Sequence, residues 1–152
     1  MKGHAMKFTI SGLVILVLFV SCGHSPQIKY YRFQEWDKSE FEPKFNRQLL
    51  IKPFTAHALL NQSKIVYSLT PFSVNYDHYN QWALTPAEML TDLTIDFFRL
   101  SGMFRNVNSE QVINDEDVIL AAHVKHFEEC MRNGKRYAQV TIYFELKKDN
   151  LR

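Results

Sequence analysis

The sequence predicts an α+β fold of two layers, in which a long helix packs on one face of a mostly antiparallel sheet. Three observations lead to this fold class. A strongly marked helix lies in the middle of the chain, strand-like segments precede and follow it, and the two kinds of element do not alternate regularly. With 152 residues, the chain is long enough for one domain with its own core.

The first residues are typical of an export signal that precedes this domain. Residues 1–21 contain Lys2 and Lys7, no acidic residue, and an apolar run over 13–20. A bilayer core needs about 20 apolar residues, whereas a secretory signal needs only about 7 to 15. We therefore predict a signal peptide over 1–21, with an uncleaved N-terminal anchor as the alternative.

The end of this run resembles a bacterial lipoprotein signal, in which the cysteine after a small residue is acylated and becomes the mature N-terminus. Cys22 is thus the predicted lipidation site, with palmitate as the fatty acid, although Phe19 stands where leucine is usual. Residues 22–29 are expected to be a tether, and the folded domain is expected to cover 30–152. Met6 is an alternative start of the chain.

The charge balance argues against a nucleic-acid partner. Lys and Arg number 18 and Asp and Glu 16, a net charge of +2. Without residues 1–21, the count is 18 less 2, or 16, against 16. Nucleic-acid binders normally carry a clear basic excess.

Several strand candidates precede the helix. They are residues 30–33, 49–51, 64–68 and 72–76. The charged stretch 35–44 is expected to be a loop, and Pro53 limits the second candidate to a sheet edge or a strand end. The turn at Thr70 and Pro71 predicts that the last two candidates form a hairpin.

The helix has the clearest local signal in the chain. Thr85 and Glu88 form a capping box with Pro86 at the first helical position, and Gly102 is placed to end the helix. An apolar stripe at helical spacing predicts the face that packs on the sheet. Its members are Leu90, Leu93, Phe97 and Leu100, with Met89 alongside.

The last third of the chain reads as strands. Residues 104–107 form a short candidate, and 118–124 alternate apolar residues with others. Asn133 and Gly134 predict a hairpin turn, and 138–146 alternate so strictly that a strand with one buried face is expected. The chain ends soon after this strand, so the domain is expected to be incomplete at its C-terminus.

Two clusters of polar residues are candidate chemical sites. His123 and His126 lie three apart on a predicted strand, which would point them to opposite faces and argues against a shared metal ion. Asp77 and His78 would suit a hydrolase, but no nucleophile stands at a defined spacing from them. A helix-entry loop held by Tyr79 and nearby Trp82 is the favoured interpretation. The sequence therefore predicts no catalytic residue, no metal and no cofactor.

Several short motifs together resemble the ABC-type transport auxiliary lipoproteins, the PqiC-like group. They are the lipoprotein-like start, Tyr30-Tyr31-Arg32-Phe33, Leu50-Ile51-Lys52-Pro53-Phe54, Ile65-Val66-Tyr67, and above all Tyr79-Asn80-Gln81-Trp82 running into Pro86 and Leu90. The resemblance covers about Tyr30 to Leu146. It implies a non-enzymatic component of the bacterial cell envelope that is lipid-anchored, faces the periplasm and assists lipid movement between membranes.

The resemblance also implies partners, namely ABC transporter subunits and an MCE-type lipid-binding protein. Gly23 stands where an aspartate would signal inner-membrane retention, so the outer membrane is favoured. Tyr79 and Trp82 are predicted partner contacts, and Phe72 is a further candidate. The alternative function is an envelope lipoprotein that binds a cell-wall enzyme or stabilises an envelope assembly without lipid cargo.

Overall fold

The computed structural model describes residues 26–34, 45–109 and 118–148. The predicted signal over 1–21, the lipidation site Cys22 and the predicted loop over 35–44 lie outside this part of the chain. The elements are β1 (Lys29–Tyr31), β2 (Phe45–Ile51), β3 (Thr55–Ala56), a 3-10 turn (Ala58–Leu60), β4 (Lys64–Ser68), β5 (Asn75–Trp82), α1 (Pro86–Ser101), β6 (Phe104–Asn108), β7 (Val118–Arg132) and β8 (Lys135–Lys148).

The long strand β7 organises the sheet. β2, β3 and β4 follow one another along one edge of β7 and run parallel to it, while β8 pairs antiparallel along the other edge. β5 and then β1 extend the sheet beyond β4, and β6 extends it beyond β2. The sheet is therefore mixed and is built around one central strand.

The predicted predominance of antiparallel pairing is wrong, although the α+β class is correct. Among the described strands, five pairings are parallel and two, β4 with β5 and β7 with β8, are antiparallel. The cause is the path of the chain, because α1 is a crossover that returns it to the start of the sheet. After this crossover, β6 and β7 run in the same direction as β2.

The helix begins and ends where the sequence predicts. The Glu88 N–H donates to Thr85 Oγ1 over 3.4 Å, and the Thr85 N–H donates to Glu88 Oε2 over 2.9 Å. Gly102 closes the helix with a φ of 62°, a left-handed conformation that glycine adopts without strain. The capping box and the stop signal are confirmed.

The predicted buried stripe of the helix is displaced from the observed one. Ala87, Thr91 and Ile95 are buried, whereas Leu93 is half-buried and Leu100 is exposed. The small Ala87 side chain faces the core, and Thr91 can be buried because its hydroxyl is fully hydrogen-bonded. Thr91 Oγ1 donates to the Ala87 carbonyl (2.7 Å) and accepts from the Phe54 N–H (2.9 Å).

The core has two parts. The larger part lies between α1 and the strands β2, β6 and β7, and the smaller part lies beside β4 and β5. The first contains Leu49, Ile51, Phe54, Ala87, Ile95, Val107, Leu120 and Ala122. The second contains Leu60, Val66, Val124 and Phe127, with Phe33, Tyr76 and Trp82 packed against it. Leu90 and Ile142 contact both parts and join them.

The hairpin of β4 and β5 is confirmed, but its second strand is shifted. β5 begins at Asn75 and includes the segment that was predicted to be a helix-entry loop. Phe72 instead lies in the turn, because Ser73 and Thr70 bind each other through the Ser73 N–H (3.2 Å) and the Thr70 N–H (3.1 Å). These bonds lengthen the turn at the expense of the strand.

Candidate docking surface

A cluster of three aromatic rings lies where β5 and β7 meet the segment after β1. The rings of Phe33 and Trp82 are stacked with centroids 6.1 Å apart, and Phe127 meets both edge-on at 5.9 and 5.3 Å. Such arrangements add to the stability that burial of the rings already provides. The three rings pack against one another and form the floor of a groove.

This floor belongs to an open groove of about 520 Å³. Tyr137, Ala138 and Val140 of β8 form its other wall, so the groove is mainly apolar. At the rim, Arg136 Nε lies 3.4 Å from Glu129 Oε1. An apolar groove with a charged rim suits the apolar side chains of a partner or a lipophilic chain.

The indole nitrogen of Trp82 is an unusual feature of the groove. Nε1 is buried, and among the described residues it has no hydrogen-bond partner. A buried donor without an acceptor destabilises the fold. Trp82 therefore contributes through the packing of its ring and not through its N–H. The half-buried Trp82 ring packs against the smaller part of the core, so it belongs to the fold as well as to the groove.

The apolar face of β8 continues this surface. The prediction that β8 buries one face is wrong, since Val140, Phe144 and Leu146 are 55%, 60% and 66% exposed. The cause is the position of β8 outside β7, where α1 packs on β2, β3, β6 and β7 but does not cover it. We call these three side chains the apolar strip. Ile142, between them, packs on the core.

The edge of β8 is also open within the described part of the sheet, where β8 pairs with β7 alone. The two-residue turn makes Arg132 and Lys135 a hydrogen-bonded pair. Odd-numbered residues of β8 therefore bond to β7, and the N–H and C=O groups of even-numbered residues point to the free edge. The three residues of the apolar strip are even-numbered, so their backbone N–H and C=O groups also point to the free edge.

The two predicted contact residues, Tyr79 and Trp82, lie in different surroundings. Trp82 lines the aromatic groove, whereas Tyr79 is 52% exposed and is not part of the groove wall. Tyr79 sits in a bulge of β5, where four residues of β5 oppose one residue of β4. The structure thus does not bring Tyr79 and Trp82 into one patch.

Asp77 holds this bulge in shape. Its Oδ1 accepts from the backbone N–H groups of Tyr79 (2.8 Å) and Asn80 (2.9 Å), and its Oδ2 accepts from the Asn80 side-chain amide (2.9 Å). These bonds, the one from the Asn80 side chain above all, lower the pKa of Asp77 below its usual 3.8. Tyr31 donates to Asn80 Oδ1 (2.9 Å), which ties β1 to the same bulge. Asp77 therefore has a structural role.

His123 and His126 do not point to opposite faces of the sheet, as the sequence predicts. A bulge at Lys125 reverses the alternation, so His123 and His126 pair with Tyr143 and Thr141 and point to the same face. They have separate partners, because His123 Nδ1 lies 2.9 Å from Thr55 Oγ1 and His126 Nδ1 lies 3.1 Å from Glu128 Oε1. The described residues contain no group of three His, Cys, Asp or Glu placed to hold a metal ion.

Cys130 is buried two residues before the end of β7 and forms no disulfide with another described residue. In the part of the chain that the structure describes, no helix is long and apolar enough to cross a membrane.

Comparison with known proteins decides the family. The model of the ABC-type transport auxiliary lipoprotein component matches residues 31–150. The chain belongs to this family. The match includes the aromatic groove and all of β8, so the surface described above lies within the matched residues.

Solved structures agree with the fold of this auxiliary lipoprotein family. A Xanthomonas campestris protein of the DUF330 family superimposes with a TM-score of 0.62 at 23% identity, over 80% of this chain and 65% of that protein. An uncharacterized protein superimposes with a TM-score of 0.56 at 15% identity, over 80% of both chains. The chain thus spans just under two thirds of the Xanthomonas protein. No curated protein matches it.

The family to which the chain belongs is described as an auxiliary lipoprotein component of ABC-type transport. The family is not a known family of enzymes. The sequence singled out Trp82, which lines the aromatic groove, as a partner contact, but it did not reveal the apolar strip. Strict alternation over 138–146 shows that one face of β8 is apolar, but not whether a helix covers it.

Proposed function

We propose that the chain is a lipid-anchored auxiliary component that docks on an ABC/MCE-type transporter and assists lipid movement between membranes. Cys22 carries the anchor, the outer membrane is the favoured site, and the domain faces the periplasm. The observation that carries the docking role is the apolar strip of β8. The strip lies on the same face of the sheet as the core-facing side chains of β7, but it is exposed to solvent in the described part of the chain. Exposed apolar surface beside a free strand edge is typical of a protein interaction site.

The charges of β8 favour a different protein as the partner. Lys135 and Arg136 begin the strand, Lys147 and Lys148 end it, and Glu145 is paired with Lys147 at 2.8 Å. Antiparallel pairing of β8 with a second copy would place these basic ends against each other. A partner strand with acidic ends complements them, and we assign this strand to the MCE-type protein.

The test is affinity isolation of the full chain from its native envelope in mild detergent, with identification of the proteins and lipids that accompany it. Recovery of an MCE-type protein or an ABC ATPase together with lipid supports the proposal. Recovery of cell-wall enzymes alone would replace it with the alternative function.

A matched pair of variants assigns the contact to the apolar strip. Leu146→Ser removes an exposed apolar side chain from the strip, whereas Tyr143→Ser removes one from the opposite face of the same strand. Burial of a leucine stabilises a contact by about 1.5–3 kcal/mol, so Leu146→Ser should reduce transporter recovery about tenfold or more. Tyr143→Ser should leave it unchanged.

The anchor has its own test. Cys22→Ala should abolish incorporation of a labelled fatty acid and release the mature domain from membranes. Membrane association of the wild-type chain without any incorporation of label would refute lipidation at this residue.

A further inference from the structure

The turn between β4 and β5 presents apolar side chains to solvent. Phe72 is 98% exposed, and Leu69 and Val74 on either side of it are also exposed. Residues 69–74 contain no charged residue, and we call them the apolar tip. The hydrogen bonds between Thr70 and Ser73 fix the turn, so Phe72 is held outward by an ordered backbone.

A basic turn lies at the same end of the sheet. β4 runs parallel to β7, with Ser68 opposite Cys130, so the turn after β4 and the turn after β7 are neighbours. Thr70 and Pro71 line one cavity together with Met131 and Arg132. The turn Arg132–Arg136 carries three cations and no acidic residue, and of these Arg136 also lies 3.4 Å from Glu129 of β7.

The chain also enters the domain from this end. β1 is parallel to β5, with Lys29 beside Asn80, and β5 runs away from the apolar tip. The segment before Lys29 is therefore directed toward the tip. Lys29 lies beside Asn80. From Gln81 back to Asn75, β5 spans only three positions of β4, about 10 Å, and Phe72 lies three residues before Asn75, at most about another 10 Å.

The tether is long enough to cover this distance. Lys29 lies seven positions after Cys22, and seven extended residues span at most about 25 Å. A lipid on Cys22 and the side chain of Phe72 can therefore lie in the same membrane surface. This step rests on the anchor of the proposed function.

We propose that the apolar tip is a second membrane contact, in which Phe72 inserts into the lipid surface and the basic turn faces anionic headgroups. Apolar insertion combined with nearby cations is the usual chemistry of interfacial membrane binding. The occupant is thus the anionic lipid surface in which the anchor is held. Leu146 lies eleven residues beyond Lys135, so β8 carries the apolar strip up to about 37 Å away from this surface.

The experiment uses the acylated full chain in vesicles of phosphatidylcholine with or without phosphatidylglycerol. An environment-sensitive fluorophore is attached at Phe72→Cys or, as the control, at Leu84→Cys. Leu84 is also exposed and apolar, but it follows β5 at the end opposite the tip. Cys130 is buried and is protected from the label by the fold.

We expect blue-shifted emission and quenching by lipid-borne nitroxides at position 72, and water-like emission at position 84. Lys135→Gln should lower the equilibrium constant for insertion roughly fivefold in vesicles with phosphatidylglycerol, and it should have no effect without this lipid. Equal, water-like emission and equal quenching by aqueous iodide at both positions would overturn the proposal.

Incorporation of a labelled fatty acid is measured on the same samples, which separates this inference from the proposed anchor. An acylated chain with a water-exposed position 72 refutes the tip contact and leaves the anchor intact. A chain without an acyl group refutes the anchor, and quenching at position 72 by added vesicles, measured in a Cys22→Ser background that leaves no free thiol at position 22, then still supports the tip contact.

Discussion

At the scale of single residues, the fold depends on a few polar groups that work inside or beside the core. Thr91 joins α1 to the loop before β3, because its hydroxyl binds both the Ala87 carbonyl and the Phe54 N–H. This explains why a threonine occupies a position of the buried helix face. Hydrophobic periodicity does not reveal it, since the partner N–H is 37 residues away along the chain.

Thr91→Val should destabilise the domain, because valine keeps the shape but leaves the buried Phe54 N–H without an acceptor. We expect a loss of about 1–3 kcal/mol in the free energy of unfolding, measured by urea denaturation. Thr94→Val is the control, since the hydroxyl of Thr94 only donates to the Leu90 carbonyl. Equal losses in both variants would show that the bond to Phe54 does not matter.

The helix cap should make stability depend on pH. Hydrogen bonds from the Thr85 hydroxyl and then from its N–H lower the pKa of Glu88 below the usual 4.5. A carboxyl whose pKa is lower in the folded state contributes stability above pH 4.5 that is lost as pH falls through the folded pKa.

Glu88→Gln retains an acceptor for the cap but cannot titrate. The wild-type chain should therefore be the more stable of the two at pH 7, and the difference should shrink below about pH 4. Thermal unfolding of both chains across this range measures it. A difference that stays constant with pH would contradict the role of the Glu88 carboxylate.

At the scale of elements, the hairpin of β7 and β8 illustrates which features sequence can reveal. The Asn133-Gly134 turn and the alternation in both strands follow from local chemistry and are confirmed. The bulge at Lys125 has no such local signal, and it turns His126 to the face of His123. The same limit applies to β5, whose bulge was interpreted as a loop.

The turn of this hairpin gives a clean test of backbone conformation. Gly134 has a φ of 72°, and a Cβ built there meets nothing within 4 Å. Gly134→Ala should therefore cost about 1 kcal/mol from the left-handed backbone alone. Denaturant unfolding measures this loss, and Asn133→Gly, which removes a strained side chain, should not reproduce it. A neutral Gly134→Ala variant would contradict the turn geometry.

At the scale of the whole molecule, the α+β class, the capped helix and most strand positions were predictable, because they depend on periodicity and end signals. The direction of strand pairing was not, since it depends on the crossover through α1. The face of β8 that is uncovered among the described residues was not predictable either, because α1 covers only part of the described sheet. The family resemblance, by contrast, was carried by short motifs such as Tyr79-Asn80-Gln81-Trp82 and is confirmed by the family match.

The central claim is that β8 docks on the transporter through its apolar strip. A photocrosslinking amino acid placed at position 146, or at position 143 as the control, tests it most directly in the native envelope. We predict crosslinks from position 146 to the MCE-type protein or to an ABC transporter subunit, and none from position 143. Crosslinks from position 146 to cell-wall enzymes alone, or the same products from both positions, would contradict the claim.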